Sequence, residues 1–284
     1  MFDYDIVVVG GGPAGISAAI NLAAKGKSAA ICSNNYAESA LYKAKRVDNY
    51  PGLPGISGAQ LLDGMARQVQ SFDVKTIRSQ VLSVAEIGDG FYISAGSEVF
   101  SVKAVILATG VVQTAFYPGE TQYLGRGVSY CATCDGMLYR GRKTAVIGLR
   151  NDAVEEANQL LEIGCEVVLI MPNDPPEGIK PGVEFLRGRK FAFSGDEVLR
   201  TLTVDDENIP VDGVFIVRAS VAPDLLMPEL SVKDGYIVVN EKMETNIAGV
   251  FAAGDCTGRP YQISKASGQG QVAAFSAASY IERK

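Results

Sequence analysis

The chain has 284 residues, 47% of them hydrophobic and 20% charged, with a formal net charge of −6. That composition suits one large or two ordinary globular domains, and the acidic balance argues against general nucleic-acid binding. Histidine is absent, which removes the commonest metal ligand and the commonest general acid–base, so proton transfer must rest on carboxyl, thiol, lysine or tyrosine groups.

No apolar run reaches the ~18 residues of a membrane-spanning helix. The first residues enter an alternating apolar stretch with no basic leader, so no secretion signal is expected and the cytoplasm is the expected location. Five cysteines are present. Only two of them lie close together, unlike the framework of a disulfide-stapled secreted protein.

Asp5 to Gly10 read as a buried parallel strand, because β-branched residues run almost unbroken into a glycine cluster. Gly10-Gly11-Gly12-Pro13-Ala14-Gly15 follows, then an alanine-rich helix from Ala14 to Lys25, stopped by Gly26, and a strand over Ser28–Cys32. Pro and Gly force turns through Asn49–Gly55, and Gly58 to Phe72 reads as a helix. Thr76–Glu86, Phe91–Ala95 and Val99–Val102 read as an antiparallel meander, and Val105–Ala108 as a further buried strand. The pattern then restarts, with a strand over Lys143–Gly148, a helix over Asp152–Ile163 and a strand over Glu166–Ile170. A Pro-rich stretch spans Pro172–Pro181, Gly249–Asp255 reads as a strand ending in Gly254-Asp255, and a helix over Ser267–Ile281 follows. The expected fold is α/β, with two Rossmann-like three-layer domains.

Gly10-x-Gly12-x-x-Gly15 has the context of a dinucleotide-binding turn, with a strand before it and a helix after it. Gly10 permits the tight turn, Gly12 lets a pyrophosphate approach the backbone, and Gly15 lets helix and strand pack closely. The helix N-terminus then offers free N–H groups to the phosphates. The acid expected ~20 residues on, to hold a ribose hydroxyl, is replaced by Ser33, Asn34 and Asn35. Which dinucleotide binds is therefore left open by these residues.

Cys131-Ala132-Thr133-Cys134, followed by Asp135, is the expected chemical centre. The spacing allows a local disulfide at the start of a helical turn, where the helix N-terminus lowers a thiol pKa. Asp135 is the natural proton carrier in a chain without histidine. Zinc lacks a full tetrahedral ligand set here, so no metal site is expected. Cys32, Cys165 and Cys256 lie in or beside apolar strands and read as small core residues.

Taken together, these residues resemble the low-molecular-weight thioredoxin reductases from end to end. The matching segments are GGGPAG at 10–15, NYPG at 49–52, ATG at 108–110, GRGVSYCATCDG at 125–136 and GVFAAGDC at 249–256. The resemblance implies an FAD domain split in sequence, 1–112 and 241–284, around an inserted domain, 113–240, that carries the cysteines. It places Gly12, Pro13 and Ala14 on the FAD pyrophosphate, and Asn49 and Thr109-Gly110 near the flavin or its ribityl arm. Asp255, after Gly254, would hold a ribityl hydroxyl, and Gln262-Ile263 would line the flavin edge. It further implies a homodimer, Cys134 facing the flavin, Cys131 attacking a disulfide of thioredoxin, and Asp135 moving the proton.

Family members carry an NADPH site in the inserted domain, and this chain departs from it. The second glycine loop reads Gly148-Leu149-Arg150-Asn151-Asp152-Ala153, so Arg150 fills the place of the middle glycine and Asp152 puts negative charge at the helix N-terminus. Where the family has His-Arg-Arg, this chain has Met171-Pro172-Asn173-Asp174, leaving no arginine or lysine there for a 2′-phosphate. The family's later Gly-rich segment is replaced by Val217–Pro223. These departures resemble the ferredoxin-dependent flavin thioredoxin reductases, in which ferredoxin supplies single electrons to the flavin. Lys43, Lys45 and Arg46 are one candidate basic patch for such an acidic donor. An NAD(P)H-dependent reductase with a divergent site, a diflavin-type reductase and a non-catalytic flavin redox sensor are the alternatives.

Overall fold

The computed structural model of the chain describes residues 2–33, 39, 41–72, 74–111, 116–130, 132–148, 152–217 and 222–284, and only the backbone of Thr133, Cys134 and Asp152. The chain forms two compact units, Met1–Val112 with Ser220–Lys284, and Gln113–Ala219.

The first unit begins with β1 (Tyr4–Val9), α1 (Pro13–Ala24), β2 (Ala29–Cys32), α2 (Gly58–Ser71), β3 (Lys75–Ile77), β4 (Val81–Ile87), β5 (Gly90–Ala95) and β6 (Glu98–Leu107). The second unit holds α3 (Glu120–Tyr123), β7 (Val128–Ser129), α4 (Ala132–Asp135), β8 (Lys143–Gly148), α5 (Asp152–Ile163) and β9 (Glu166–Met171). It continues through β10 (Val183–Arg187), β11 (Phe191–Gly195), β12 (Leu199–Val204), β13 (Glu207–Pro210) and β14 (Gly213–Val217). The chain then returns to the first unit with α6 (Pro223–Leu226), β15 (Val232–Lys233), β16 (Tyr236–Ile237), β17 (Val250–Ala252) and α7 (Ile263–Glu282).

Among the described residues the first unit carries a seven-stranded sheet, ordered β3-β2-β1-β6-β5-β4 with β17 also on β6. Strand β6 serves two sheet regions. Its first half pairs antiparallel with β5, at Phe91↔Val102, and its second half pairs parallel with β17, at Val250↔Val105. The sequence pattern divides this strand at Lys103, a polar residue in an apolar run. Lys103 sits mid-strand because its ammonium bonds Asp5 Oδ1 at 2.7 Å on neighbouring β1. The expected Thr76–Glu86 segment is instead two strands, β3 parallel on β2 and β4 antiparallel on β5.

One sheet face packs against α1 and α7. Ala18, Ala19 and Leu22 of α1 meet Ala273, Ala274 and Ala277 of α7 over Ile6, Val8 and Ile106. The small side chains let the two helices close together. The other face buries Val7, Val105, Leu107 and Ile93 against Leu226, Met227, Leu230 and Ile237. That second cluster corrects the domain boundary expected at 240. The apolar side chains between 226 and 237 complete the core of the first unit, so the crossing falls after Ala219.

The second unit is built on a parallel sheet ordered β10-β9-β8-β14-β7, with a separate antiparallel sheet β11-β12-β13. Helix α5 covers it through Ala153, Ala157 and Leu160, which pack with Ala132, Val146, Leu169 and Phe215. The repeated strand–helix–strand pattern of the sequence is therefore present in both units, and the fold is α/β with parallel sheets as expected.

Candidate functional site

In the first unit the glycines of the β1–α1 turn divide into two kinds. A Cβ on Gly10 (φ +113°) would lie 2.2 Å from the Ala108 carbonyl oxygen, and one on Gly15 would lie 1.8 Å from that of Gly10. These two glycines permit close backbone packing. A Cβ on Gly12 would meet nothing within 4 Å. Gly12 therefore borders open space at the N-terminus of α1, where Pro13 occupies the first turn and Gly12 caps without a side-chain bond. Free amides and an open backbone face are what a pyrophosphate needs.

Three side-chain oxygens, Thr109 Oγ1, Asp255 Oδ1 and Ser267 Oγ, are buried without a hydrogen-bond partner. A buried polar atom left unpaired costs about 1–3 kcal/mol, so such atoms mark places where a ligand completes the bonding. Thr109 and Asp255 belong to the set expected around FAD. Ser267 lies in the second turn of α7 and gave no sequence signal, because a single serine in a helix carries none. Burial pushes the Asp255 carboxyl up, opposed by the Lys265 ammonium. Gly254 (φ +87°) allows close approach to Ala14, whose Cβ would lie 2.8 Å from an added Cβ. Gly110 also holds a positive φ of +73°.

Asn49 and Gln262, 213 residues apart, are brought together by a bond from Asn49 Nδ2 to Gln262 Oε1 at 2.8 Å. Ile263 opens α7 next to Gln262. Two further residues, not anticipated from the sequence, lock the turn at Gly254–Gly258. Lys265 Nζ donates to the carbonyls of Gly254 at 2.9 Å and Gly258 at 2.6 Å. Gln269 Oε1 accepts from the Gly254 N–H at 3.0 Å and from Thr257 Oγ1 at 3.1 Å. The open Gly12 face, the unpaired oxygens and the locked turn all lie in the first unit, and together these residues fit a bound FAD.

In the second unit, Cys131 lies outside the described residues, and Cys134 is described only as backbone within α4. Their neighbours are defined. Asp135, the last residue of α4, accepts from Ser129 Oγ at 2.7 Å. The Ala132 N–H donates to Glu156 Oε2 of α5 at 2.8 Å. Immediately after α4, Met137 and Leu138 are 62% and 70% exposed, an apolar pair open to solvent.

The second glycine loop, 149–151, and the segment 218–221 also lie outside the described residues. The stretch after β9 is described, and it modifies one expectation. A guanidinium is present there after all, because the β10 register sets Arg187 beside Met171. It is ion-paired with Asp174. The sequence pattern hides this because Arg187 arrives from the next strand. Arg46, part of the candidate basic patch, is likewise engaged, with Nε 2.8 Å from Asp48 Oδ1. Lys45 and Arg259 remain exposed, and the Arg259 guanidinium sits 5.2 Å over the Tyr261 ring.

Cys32, Cys165 and Cys256 are buried free thiols, as expected. Burial pushes Cys32 up to about 12 and Cys256 up to about 11, so neither ionises near neutrality. No helix among the described residues is long and apolar enough to cross a membrane.

A family model described as pyridine nucleotide-disulphide oxidoreductase matches residues 4–270. The chain is 37% identical over 275 residues to the thioredoxin reductase of Aquifex aeolicus, covering 89% of this chain and 85% of that protein. Its fold overlays on a ferredoxin-flavin thioredoxin reductase from Clostridium acetobutylicum with a TM-score of 0.93 at 37% identity, covering 99% of this chain and 98% of the other. A thioredoxin reductase from Gloeobacter violaceus overlays with a TM-score of 0.89 at 34% identity, covering 99% and 95%.

Proposed function

The chain belongs to the pyridine nucleotide-disulphide oxidoreductase family and is a thioredoxin reductase-type flavoprotein that uses FAD, and from that premise we propose that it takes electrons from reduced ferredoxin and delivers them to thioredoxin through Cys131 and Cys134. One observation carries the choice of donor. The second unit keeps the strand–helix–strand frame of a nucleotide site, yet its anion-binding groups are missing or reversed. Arg150 stands in the glycine loop and Asp152 at the start of α5, and Asp174 engages Arg187, the guanidinium brought beside the end of β9. A 2′-phosphate needs a guanidinium free to pair with it. The overlay on a ferredoxin-flavin enzyme supports the same reading.

FAD, when bound, supplies exchange between single electrons and electron pairs. Gly12, Pro13 and Ala14 would hold its pyrophosphate, with Gly10 and Gly15 shaping the turn. Asn49, Thr109, Gly110, Gly254, Asp255, Gln262 and Ile263 would surround the ribityl arm and ring. The Cys131–Cys134 disulfide takes two electrons and two protons to become a dithiol. The Cys131 thiolate then attacks a thioredoxin disulfide, forming a mixed disulfide and releasing one thioredoxin thiolate. Cys134 attacks the Cys131 sulfur, which restores the disulfide and frees the second thioredoxin thiol. Asp135, which accepts from Ser129, would carry a proton for this exchange. Lys45 and Arg259 are two exposed cations that would steer an acidic donor toward the Asn49–Gln262 edge.

The test is anaerobic flavin bleaching. Reduced ferredoxin bleaches the protein rapidly and NADPH leaves it oxidised; rapid bleaching by NADPH overturns the donor assignment. For the cysteine roles, Cys134→Ser accumulates a mixed disulfide with thioredoxin and Cys131→Ser does not. Equal trapping by both overturns that assignment.

A further inference from the structure

We infer that Tyr236 and Tyr261 hold the Arg259 guanidinium in a fixed position beside the Asn49–Gln262 edge, where it is a contact residue for the acidic electron-donor protein as well as a steering charge. The inference rests on the reading of ferredoxin as the donor.

The backbone around Arg259 is fixed on both sides. The carbonyl of Gly258, the residue before it, accepts from Lys265 Nζ at 2.6 Å. The side chain of Gln262, shortly after it, accepts from Asn49 Nδ2 at 2.8 Å. The arginine side chain is held as well. Its guanidinium lies 5.2 Å over the Tyr261 ring, and the Tyr261 hydroxyl is hydrogen-bonded to the hydroxyl of Tyr236 on β16. A bond from the guanidinium to the Tyr236 phenol is the first cause that pushes the Arg259 pKa up. The Tyr236 ring is backed in turn by Gly258, where an added Cβ would lie 3.9 Å from it. An arginine tethered in this way has less rotamer freedom left to lose when a partner binds.

Arg259 is exposed, and no carboxylate among the described residues is ion-paired with it. Asp234, on the turn between β15 and β16, acts on the Tyr236 phenol without pairing with Arg259. Arg46, by contrast, is engaged with Asp48. A planar, weakly hydrated guanidinium can take a carboxylate through two parallel N–H bonds. A guanidinium that is held in place and unpaired therefore fits a carboxylate on an acidic protein surface, in a contact that governs how slowly the complex parts. Lys45 is a different kind of cation, a hydrated point charge on a flexible stem. Its effect falls on the encounter and is screened by salt.

Equilibrium binding of oxidised ferredoxin to the flavin-saturated protein, measured by calorimetry at low and at high salt, separates the two roles. Arg259→Lys keeps the charge and loses the stacked, two-pronged geometry. Tyr236→Phe keeps Arg259 and removes the phenol that bonds it. Each is expected to raise the Kd roughly fivefold at both salt concentrations. Lys45→Gln is expected to raise it roughly threefold at low salt and to have no effect at high salt. If Arg259→Lys or Tyr236→Phe binds as the wild type does, the inference is overturned and Arg259 is a steering charge alone, while the donor assignment stands because ferredoxin still bleaches the wild-type flavin. A wild-type protein that ferredoxin neither binds nor bleaches overturns the donor assignment itself, and this inference with it.

Discussion

Lys265 Nζ donates to the main-chain carbonyl of Gly254 at 2.9 Å, tying the first turn of α7 to the segment that presents Asp255. A second bond, to Gly258 at 2.6 Å, closes the clamp. Desolvation pulls the ammonium pKa down and Asp255 pulls it up. Lys265→Met leaves both carbonyls without this donor and loosens the turn. FAD affinity, read by fluorescence titration of the apo-protein, is expected to fall roughly tenfold, about 1.4 kcal/mol. Unchanged affinity would remove Lys265 from the site.

The two glycines of the first turn separate folding from binding. Gly15→Ala forces a Cβ to 1.8 Å from a backbone oxygen that cannot move aside, and is expected to destabilise the apo-protein by roughly 3 kcal/mol or more. Gly12→Ala enters open space, so the apo-protein melts as the wild type does while FAD retention falls. Thermal melts of both apo-variants, beside flavin content after purification, check the contrast.

Asp255 makes a pH-dependent prediction. Its folded carboxyl titrates above the ordinary aspartate value, chiefly through burial. The folded apo-protein therefore holds more protons than the unfolded chain between these two values, and its stability falls as pH rises through that window. Asp255→Asn removes the penalty. It should raise apo-protein stability by roughly 1 kcal/mol at neutral pH, with the gain vanishing below the unfolded carboxyl value, while FAD binding weakens. Chemical denaturation at neutral and acidic pH measures the difference.

Met137 and Leu138 offer an exposed apolar pair directly after α4. Apolar side chains at that position suit the approach of a protein substrate. Leu138→Glu is expected to raise KM for thioredoxin roughly tenfold and to leave kcat and the rate of flavin reduction by the donor as they were. A fall in kcat at unchanged KM would place these residues in folding or catalysis rather than docking.

Much of the fold was legible because its signals are local. The apolar run of β1, the glycine turn and the alanine-rich α1 follow one another within about twenty residues, and the same grammar recurs at β8–α5–β9. The start of α7 was missed by four residues, from Ser267 back to Ile263, because Gln262 at its N-cap makes no side-chain capping bond and gives no start signal. Strand β6 was divided at Lys103, whose partner Asp5 lies on another strand. The strands β10 to β14 were not anticipated, since short segments in a polar stretch show little periodicity.

The sequence by itself determined the α/β class, the dinucleotide-binding turn and the cysteine motif. Each of these is a property of neighbouring residues and of the backbone geometry they permit. Only the tertiary structure decided which distant groups meet: Asn49 with Gln262, Lys265 with the Gly254 turn, Arg187 with Asp174, and Glu156 with the amide after Cys131. Such contacts depend on strand order and helix packing, which bring together side chains that the chain itself holds far apart.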